Sequence, residues 1–268
     1  MTDELILRKK AKIKRKTLLA PDIYRITFET DICRGAKPGQ FVLVYPKDGS
    51  KLLGRPFCIA DTTAEYMDIV FRVVGEGTRE ISSCTAGDML EIEGPLGRGY
   101  PFDNDKISGR TIALLGGGLG APSLLFLARE LAAAGSAAET AAYLGYRDKG
   151  FRCFLADDFR AYCMDTVIAT DDGSEGIRGN VLEALEESGK NPELIYACGP
   201  LPMLKAVKEY AQKRGSEAYI SLEEHMACGL GVCLGCVVKT VLRDEHSRVN
   251  NARICTEGPV FSAEEVDI

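Results

Sequence analysis

The chain has 268 residues, 46% of them hydrophobic and 27% charged, which suits two or three modules better than one small core. Its 33 basic and 39 acidic side chains give a net charge of −6, so there is no overall attraction for nucleic acid. No apolar run approaches the roughly eighteen residues of a membrane span, and the N-terminus MTDELILRKKAK is charged from its third residue; neither a membrane anchor nor a secretory leader is expected, and the cytoplasm is the expected compartment.

The first feature along the chain is the basic stretch from Arg8 to Lys16, seven basic side chains in nine. A polyanion patch is one reading; with Ile6, Ile13 and Leu18 nearby, a solvated edge strand whose charges block sheet aggregation is the better one. From Ile23 to Glu93, alternating stretches (YRITFET, FVLVYP, MDIVFRVV, MLEIEG) separated by Gly, Pro and Asp turns predict a small antiparallel barrel. Within it, RPFCIAD (Arg55 to Asp61) offers a cationic fork and VGEGT (Val74 to Thr78) a glycine turn with a hydroxyl, both suited to a diphosphate. Taken singly, these are equally a strand end with a surface arginine and a hairpin.

PFDNDKISGR breaks the pattern and marks a module boundary. TIALL then reads as a buried parallel strand, GGGLGAPS as a turn and LLFLARELAAAG as a helix ending at Gly135. AAYLGYR, TVIATDD and LIYACGP are further strands, with helices at NVLEALEES and LPMLKAVKEYAQKRG between or after them, so the middle module is an α/β parallel sheet. Gly116, Gly117, Gly118 and Gly120 lie between strand and helix, where bare amides can hold a pyrophosphate. No acidic residue ends the next strand, which weakens an ordinary dinucleotide fingerprint and leaves a tight packing turn as the competing reading. Thr170, Asp171, Asp172 and Gly173 form a loop after a strand, where aspartates disfavour a 2′-phosphate and so favour NAD over NADP.

From about Ser216 the chain becomes rich in Cys and Gly, too short for a large core and in need of a metal staple. Cys228, Cys233 and Cys236 have C-x4-C-x2-C spacing, and Cys255 follows with eighteen residues between it and Cys236. Plant-type [2Fe-2S] clusters use this spacing, and Gly229, Gly231 and Gly235 let backbone amides approach the sulfurs. A four-cysteine zinc site is the competing reading, although it more often uses two C-x2-C pairs. A Rieske centre needs two histidine ligands, and neither His225 nor His246 is paired in spacing with a cysteine. The remaining cysteines, Cys33, Cys58, Cys84, Cys153, Cys163 and Cys198, are expected to be small buried hydrophobes.

The order of RPFC and EGT, then GGGLGAP, then ACGP resembles the ferredoxin-NADP reductase superfamily over nearly the whole chain. Adding MACGLGVCLGCVVKT and CTEGPVF makes it similar to the electron-transfer subunits of heteromeric NAD-linked dihydroorotate dehydrogenases. The resemblance implies three domains: an antiparallel β-barrel that binds FAD (residues 1–104), an α/β parallel-sheet domain for NAD (105–215) and a small C-terminal [2Fe-2S] domain (216–268). It implies that Arg55, Pro56, Phe57 and Cys58 contact FAD, with Cys58 at a position that is commonly Ser. Val70, Phe71 and Arg72 would line the isoalloxazine or phosphate side, and Gly77 and Thr78 would reach the diphosphate. Gly116, Gly117, Gly118 and Gly120 would face the NAD pyrophosphate, and Cys198, Gly199 and Pro200 would lie beside the nicotinamide. Cys228, Cys233, Cys236 and Cys255 would hold the cluster, although VLRDEHSRVNNARI before Cys255 is longer than usual for the family.

The implied activity is conversion between hydride and single-electron transfer in pyrimidine biosynthesis, with electrons arriving from an FMN-containing catalytic subunit, in a heterotetramer, and leaving on NAD+. Hydride transfer needs stacking and orientation more than acid-base help, so no general base is named. The alternatives are a reductase subunit of a hydrogenase or ferredoxin:NADP transhydrogenase, and a zinc-stapled nucleotide-binding regulator.

Overall fold

The computed structural model describes residues 7–151, 153–243 and 248–268. Residues 1–6, on which the expectation about a leader partly rests, and His246 lie outside the described residues, as does the middle of the long stretch before Cys255. None of the described helices is long and apolar enough to cross a membrane.

Six strands, β1 (Leu7–Ala20), β2 (Ile23–Glu29), β3 (Phe41–Tyr45), β4 (Arg55–Thr62), β5 (Tyr66–Arg72) and β6 (Met89–Leu96), close into an antiparallel barrel in the order β1-β2-β5-β4-β3-β6. Period-two alternation carries Ile13, Ile26, Val42, Ile59, Ile69 and Ile92 into its interior, all fully buried. Closure corrects the expectation for the basic stretch. β1 pairs with β2 on one side and β6 on the other, so it is not an edge strand. Its charges do face solvent: Ala11 and Ile13 point inward, Lys12 and Lys14 outward, and the Lys14 ammonium sits 3.7 Å from the Tyr66 ring centroid. VGEGT is also no hairpin, because Glu76–Ser83 forms helix α1, with Ile81 buried in the barrel core.

The second module is a seven-stranded sheet. Its parallel part contains β7 (Thr111–Gly117), β8 (Glu139–Tyr146), β9 (Asp165–Thr170), the short β10 (Ile177–Arg178), β11 (Leu194–Cys198) and β12 (Glu217–Ser221), in the order β10-β9-β8-β7-β11-β12. Around it lie α2 (Asn104–Ile107), α3 (Ala121–Ala134), α4 (Ala156–Arg160), α5 (Val181–Glu187) and α6 (Leu201–Arg214). α3 stops where the sequence predicts, at Gly135 with φ 61°. α5 starts on a capping box in which Asn180 Oδ1 accepts from the Leu182 and Glu183 amides while Glu183 accepts from the Asn180 amide.

A small hairpin of β13 (Val237–Lys239) and β14 (Asn251–Arg253) follows, and β15 (Val260–Ser262) adds antiparallel to β12. The sheet therefore runs past residue 215. One apolar core contains Leu43 and Leu96 from the barrel, Ala197 and Ile220 from the sheet, and Ile254 and Cys255 from the C-terminal segment. All three modules share it, which fixes their mutual placement.

At the first residue of β12, the Glu217 carboxylate accepts from Lys106 Nζ at 2.6 Å, Arg110 Nη1 at 2.7 Å and Tyr219 OH at 2.8 Å. Burial alone would raise this carboxyl, but the three donors outweigh it and hold it down to about 2. A depressed folded-state value contributes stability above the unfolded carboxyl range and loses it as pH falls towards 2. Glu217→Gln is therefore expected to lower the melting temperature at pH 7, with the difference from wild type shrinking below about pH 4.5. Thermal unfolding across pH checks this; a constant difference down to pH 3 would refute it.

Candidate functional site

The flavin-side residues converge at one end of the barrel, where β4 begins and β5 ends. Arg55 and Gly77 are in direct contact: a Cβ on Gly77 would lie 2.6 Å from Arg55 Nη2, so only glycine lets the guanidinium lie against the first turn of α1. Thr78 Oγ1 accepts from the Val74 and Gly75 amides at 2.9 and 3.0 Å and donates to the Gly75 carbonyl, locking that turn. A fixed guanidinium beside a helix N-terminus is the donor set a diphosphate requires. Phe57 and Phe71 pack with ring centroids 5.0 Å apart and, with Val70, are buried. Arg72 points to solvent, and Pro56 and Cys58 are half-buried.

The nucleotide-side glycines separate into two roles. A Cβ on Gly116 would lie 3.1 Å from Ala121 Cβ, one on Gly117 would lie 2.6 Å from Met203 Sδ, and one on Gly120 would run into the Cys198 carbonyl and lie 2.6 Å from the Gly199 amide. These three glycines serve close packing of the turn, α3 and the Cys198-Gly199-Pro200 segment. Gly118, with φ 53° and open space around its Cα, is the one that faces outward. Both segments end strands of the parallel sheet, at the edge where such sheets bind nucleotides. In the loop after β9, Thr170 Oγ1 donates to the Glu175 carbonyl, Asp172 accepts from the Ser174 amide at 2.9 Å, and Asp171 and Asp172 are exposed.

Where barrel and sheet meet, polar side chains gather in a largely buried cluster that the sequence does not announce. Burial pushes the Cys198 thiol up to about 12, with Glu223 adding to the shift, and raises the Cys58 thiol well above its usual range, with Cys198 and Glu223 contributing. Tyr100 OH lies 3.4 Å from Ser123 Oγ, and Ser123 donates to the Gly120 carbonyl at 2.9 Å. Ser123 and Ser221 both lie against Cys198. Glu223 lies exposed at the edge of this cluster, yet partial burial raises its carboxyl. At neutral pH the cluster thus holds neutral S–H and O–H groups. Of the six scattered cysteines, Cys33, Cys84, Cys163 and Cys198 are buried as expected, whereas Cys58 and Cys153 are only half-buried.

The four C-terminal cysteines occupy two apposed segments. Gly229 and Gly231, at φ 69° and 77°, turn the first segment so that the amides of Leu230 and Cys233 donate to Cys228 Sγ at 3.3 and 3.4 Å. Gly235 has ordinary backbone geometry, and a Cβ there would make only a normal contact. Burial opposes ionisation of Cys228, but these amides outweigh it and bring the thiol down to about 6. Burial, reinforced by Cys236, pushes Cys255 up to about 12. The Ile254 amide donates to the Cys236 carbonyl at 2.9 Å, holding the fourth cysteine's turn against the loop. A Cβ on Gly229 would lie 2.7 Å from Leu43 Cδ1, so the loop rests directly on the barrel. Thiols on a glycine-turned loop with inward amides have the chemistry an iron-sulfur cluster needs, while among the described residues they sit as two pairs, Cys228 with Cys233 and Cys236 with Cys255, not as one gathered group of three or four.

A family model for the iron-sulfur cluster binding domain of dihydroorotate dehydrogenase B matches residues 223–267, and one for an oxidoreductase FAD-binding domain matches residues 10–100. The chain is 38% identical over 259 residues to the dihydroorotate dehydrogenase B (NAD(+)) electron transfer subunit of Caldanaerobacter subterraneus subsp. tengcongensis, covering 96% of this chain and 97% of that protein. The chain belongs to the family of dihydroorotate dehydrogenase B electron transfer subunits. The subunit of the same name from Desulforamulus reducens is likewise 38% identical over 263 residues, covering 96% of this chain and 97% of that one. A solved structure of an NADH-dependent reduced ferredoxin-NADP oxidoreductase superposes with a TM-score of 0.83 at 28% identity, covering 96% of this chain and 89% of that chain. Membership in this family makes the chain a flavin and iron-sulfur oxidoreductase subunit and sets aside the zinc-stapled regulator.

Proposed function

We propose that the chain passes electrons from an FMN-containing catalytic subunit, which oxidises dihydroorotate to orotate, to NAD+ in pyrimidine biosynthesis, within a heterotetramer in the cytoplasm. The observation that carries this is the seating of the Cys228–Cys236 loop on β3 of the barrel, which puts Cys236 and Cys255 on one core with Phe41, Leu43 and Leu96 of the flavin barrel. When bound, the cluster relays single electrons and the flavin exchanges them for a hydride with the nicotinamide. Arg55, Gly77 and Thr78 hold the flavin diphosphate, Phe57, Val70 and Phe71 form the apolar wall, and Pro56, Cys58 and Arg72 complete the site. Gly116, Gly117, Gly118 and Gly120 shape the turn that receives the NAD pyrophosphate, with Gly199 and Pro200 beside it. Cys198, kept neutral by burial, faces the nicotinamide without a charge that would oppose hydride transfer. Asp171 and Asp172 favour NAD over NADP by repelling a 2′-phosphate. Because β12 belongs to the sheet, the cluster module is best divided from the nucleotide module after Ser221.

The catalytic partner docks on the cluster loop. Leu230, Val232 and Leu234 are 44%, 80% and 64% exposed around the cluster cysteines, an apolar rim that a partner would cover. Val232→Asp is expected to abolish co-purification with the catalytic subunit while iron content and NADH bleaching of the flavin stay at wild-type levels. A variant that still co-elutes stoichiometrically would move the docking face elsewhere. Reductase subunits for other partners share this architecture, but the relatives above 30% identity favour dihydroorotate.

A further inference from the structure

Three tyrosines run in contact from the buried polar cluster towards the surface. Tyr100 and Tyr196 meet edge to face with ring centroids 5.4 Å apart, and Tyr196 stacks on Tyr219 at 6.0 Å with 24° between the planes. Rings at such separations touch. The inner end lies against the flavin side. Tyr100 shares one apolar core with Ala60, Val70 and Cys198, and a Cβ on Gly39 would lie 2.8 Å from its Cδ2. The next residue, Gln40, accepts through its carbonyl from the amide of Ile59, beside Cys58, at 3.0 Å. Tyr100 and Tyr196 are 2% and 0% exposed, whereas Tyr219 is half-buried and is the ring that reaches solvent.

The partners of the three hydroxyls change along this line. Tyr100 OH lies 3.4 Å from Ser123 Oγ, Tyr196 OH donates to the Pro101 carbonyl at 2.5 Å, and Tyr219 OH donates to Glu217 Oε1 at 2.8 Å. A serine hydroxyl and an amide carbonyl are not bases. A carboxylate does take the phenolic proton once the ring has lost an electron, because an oxidised phenol is a far stronger acid than a carboxylic acid. Lys106, 5.3 Å above the Tyr219 ring, opposes a positive charge there and so drives the proton to Glu217. An oxidising equivalent entering at Tyr100 therefore comes to rest on Tyr219. We propose that Tyr100, Tyr196 and Tyr219 form a one-electron chain that carries oxidising equivalents from the flavin to the surface and spares the neutral thiols of Cys58 and Cys198. The proposal rests on the proposed placement of the flavin at the barrel end. The oxidant is the flavin itself in its photoexcited state: it gains one electron, and Tyr219 supplies that electron through Tyr196 and Tyr100. The Tyr219 O–H bond breaks and a Glu217 O–H bond forms, so charge and protons balance.

Flash excitation of FAD in the FAD- and cluster-loaded protein, followed by tyrosyl-radical absorption and electron spin resonance, tests the chain. Wild type is expected to give a long-lived tyrosyl radical. Tyr196→Phe and Tyr219→Phe keep the rings but not the oxidisable phenols, and both are expected to lose that signal. Glu217→Gln keeps all three phenols and loses it as well, which a purely structural stack of rings does not predict. NADH reduces the flavin of Tyr219→Phe at the wild-type rate. Under continued illumination, thiol titration after unfolding finds Cys58 and Cys198 retained in wild type and lost in Tyr196→Phe. Tyr24→Phe, whose ring lies 6.1 Å from Phe71 and outside the chain, leaves the signal intact. A wild-type signal in Tyr196→Phe and Tyr219→Phe, its loss in Tyr24→Phe, or no radical in FAD-replete wild type overturns the proposal. Arg55→Gln, assayed in parallel, tests the flavin placement separately: full FAD retention there would refute that placement whatever the tyrosines do.

Discussion

Cys236→Ser is expected to lower partner-coupled dihydroorotate oxidation at least about hundredfold, while NADH still reduces the flavin and two-electron dye acceptors work near the wild-type rate. The separation follows from the layout. Cys236 belongs to the cluster loop, whereas Arg55, Gly77 and the buried Phe57–Phe71 pair belong to the barrel end and do not depend on the loop for their contacts. Serine is a poor iron ligand, and at 3% exposure its hydroxyl would also be buried, at a cost of about 1 to 3 kcal/mol if it finds no partner. Cys233 is exposed, so Cys233→Ser is expected to cause the same loss of coupled turnover without that stability cost. Iron content, visible absorption and the two assays on one preparation decide it. Undiminished coupled turnover in either variant would remove that cysteine from the ligand set.

The parts of this molecule legible in the sequence are those encoded within one stretch of chain. Three cysteines at C-x4-C-x2-C spacing carry the cluster chemistry in nine residues, and alternation in FVLVYP or MDIVFRVV carries strand period and burial together. α3 was legible for the same reason, because its turn, apolar body and terminal Gly135 are contiguous. What was not legible depends on distant partners. Nothing in RKKAKIKRK says that β6, some eighty residues later, closes the barrel against it, and Glu217–Ser221 reads no differently whether it begins a new module or extends a sheet. The buried polar cluster is the extreme case, since Cys58, Tyr100, Ser123, Cys198 and the Ser221–Glu223 stretch come from five separate segments and none stands in a motif that names the others. VGEGT leaves a hairpin open for a local reason: two glycines and a threonine look like one, whereas Thr78 caps a helix by accepting from the amides of Val74 and Gly75.

Gly77→Ala is expected to strip the protein of flavin while leaving the apoprotein at least as stable as wild type. The two effects have opposite signs because they arise in different places. Gly77 sits in the first turn of α1 with ordinary helical backbone, so alanine gains about 0.5 to 1 kcal/mol in the helix from reduced chain freedom in the unfolded state. Its Cβ, however, would lie 2.6 Å from Arg55 Nη2 and 2.7 Å from Cζ, so the guanidinium must leave the helix N-terminus. A charge-assisted hydrogen bond to a phosphate is worth about 1.5 to 3 kcal/mol, so its displacement weakens FAD binding by roughly ten- to a hundredfold. Arg55→Ala removes the same donors without touching α1 and is expected to lose flavin to a similar degree with no gain in melting temperature. In both variants the cluster remains but NADH no longer reduces it, because a one-electron centre cannot accept a hydride. Flavin content after gel filtration, apoprotein melting temperature and NADH bleaching of the cluster absorption test the pair together, and full flavin occupancy in Gly77→Ala would mean that the diphosphate lies away from this turn.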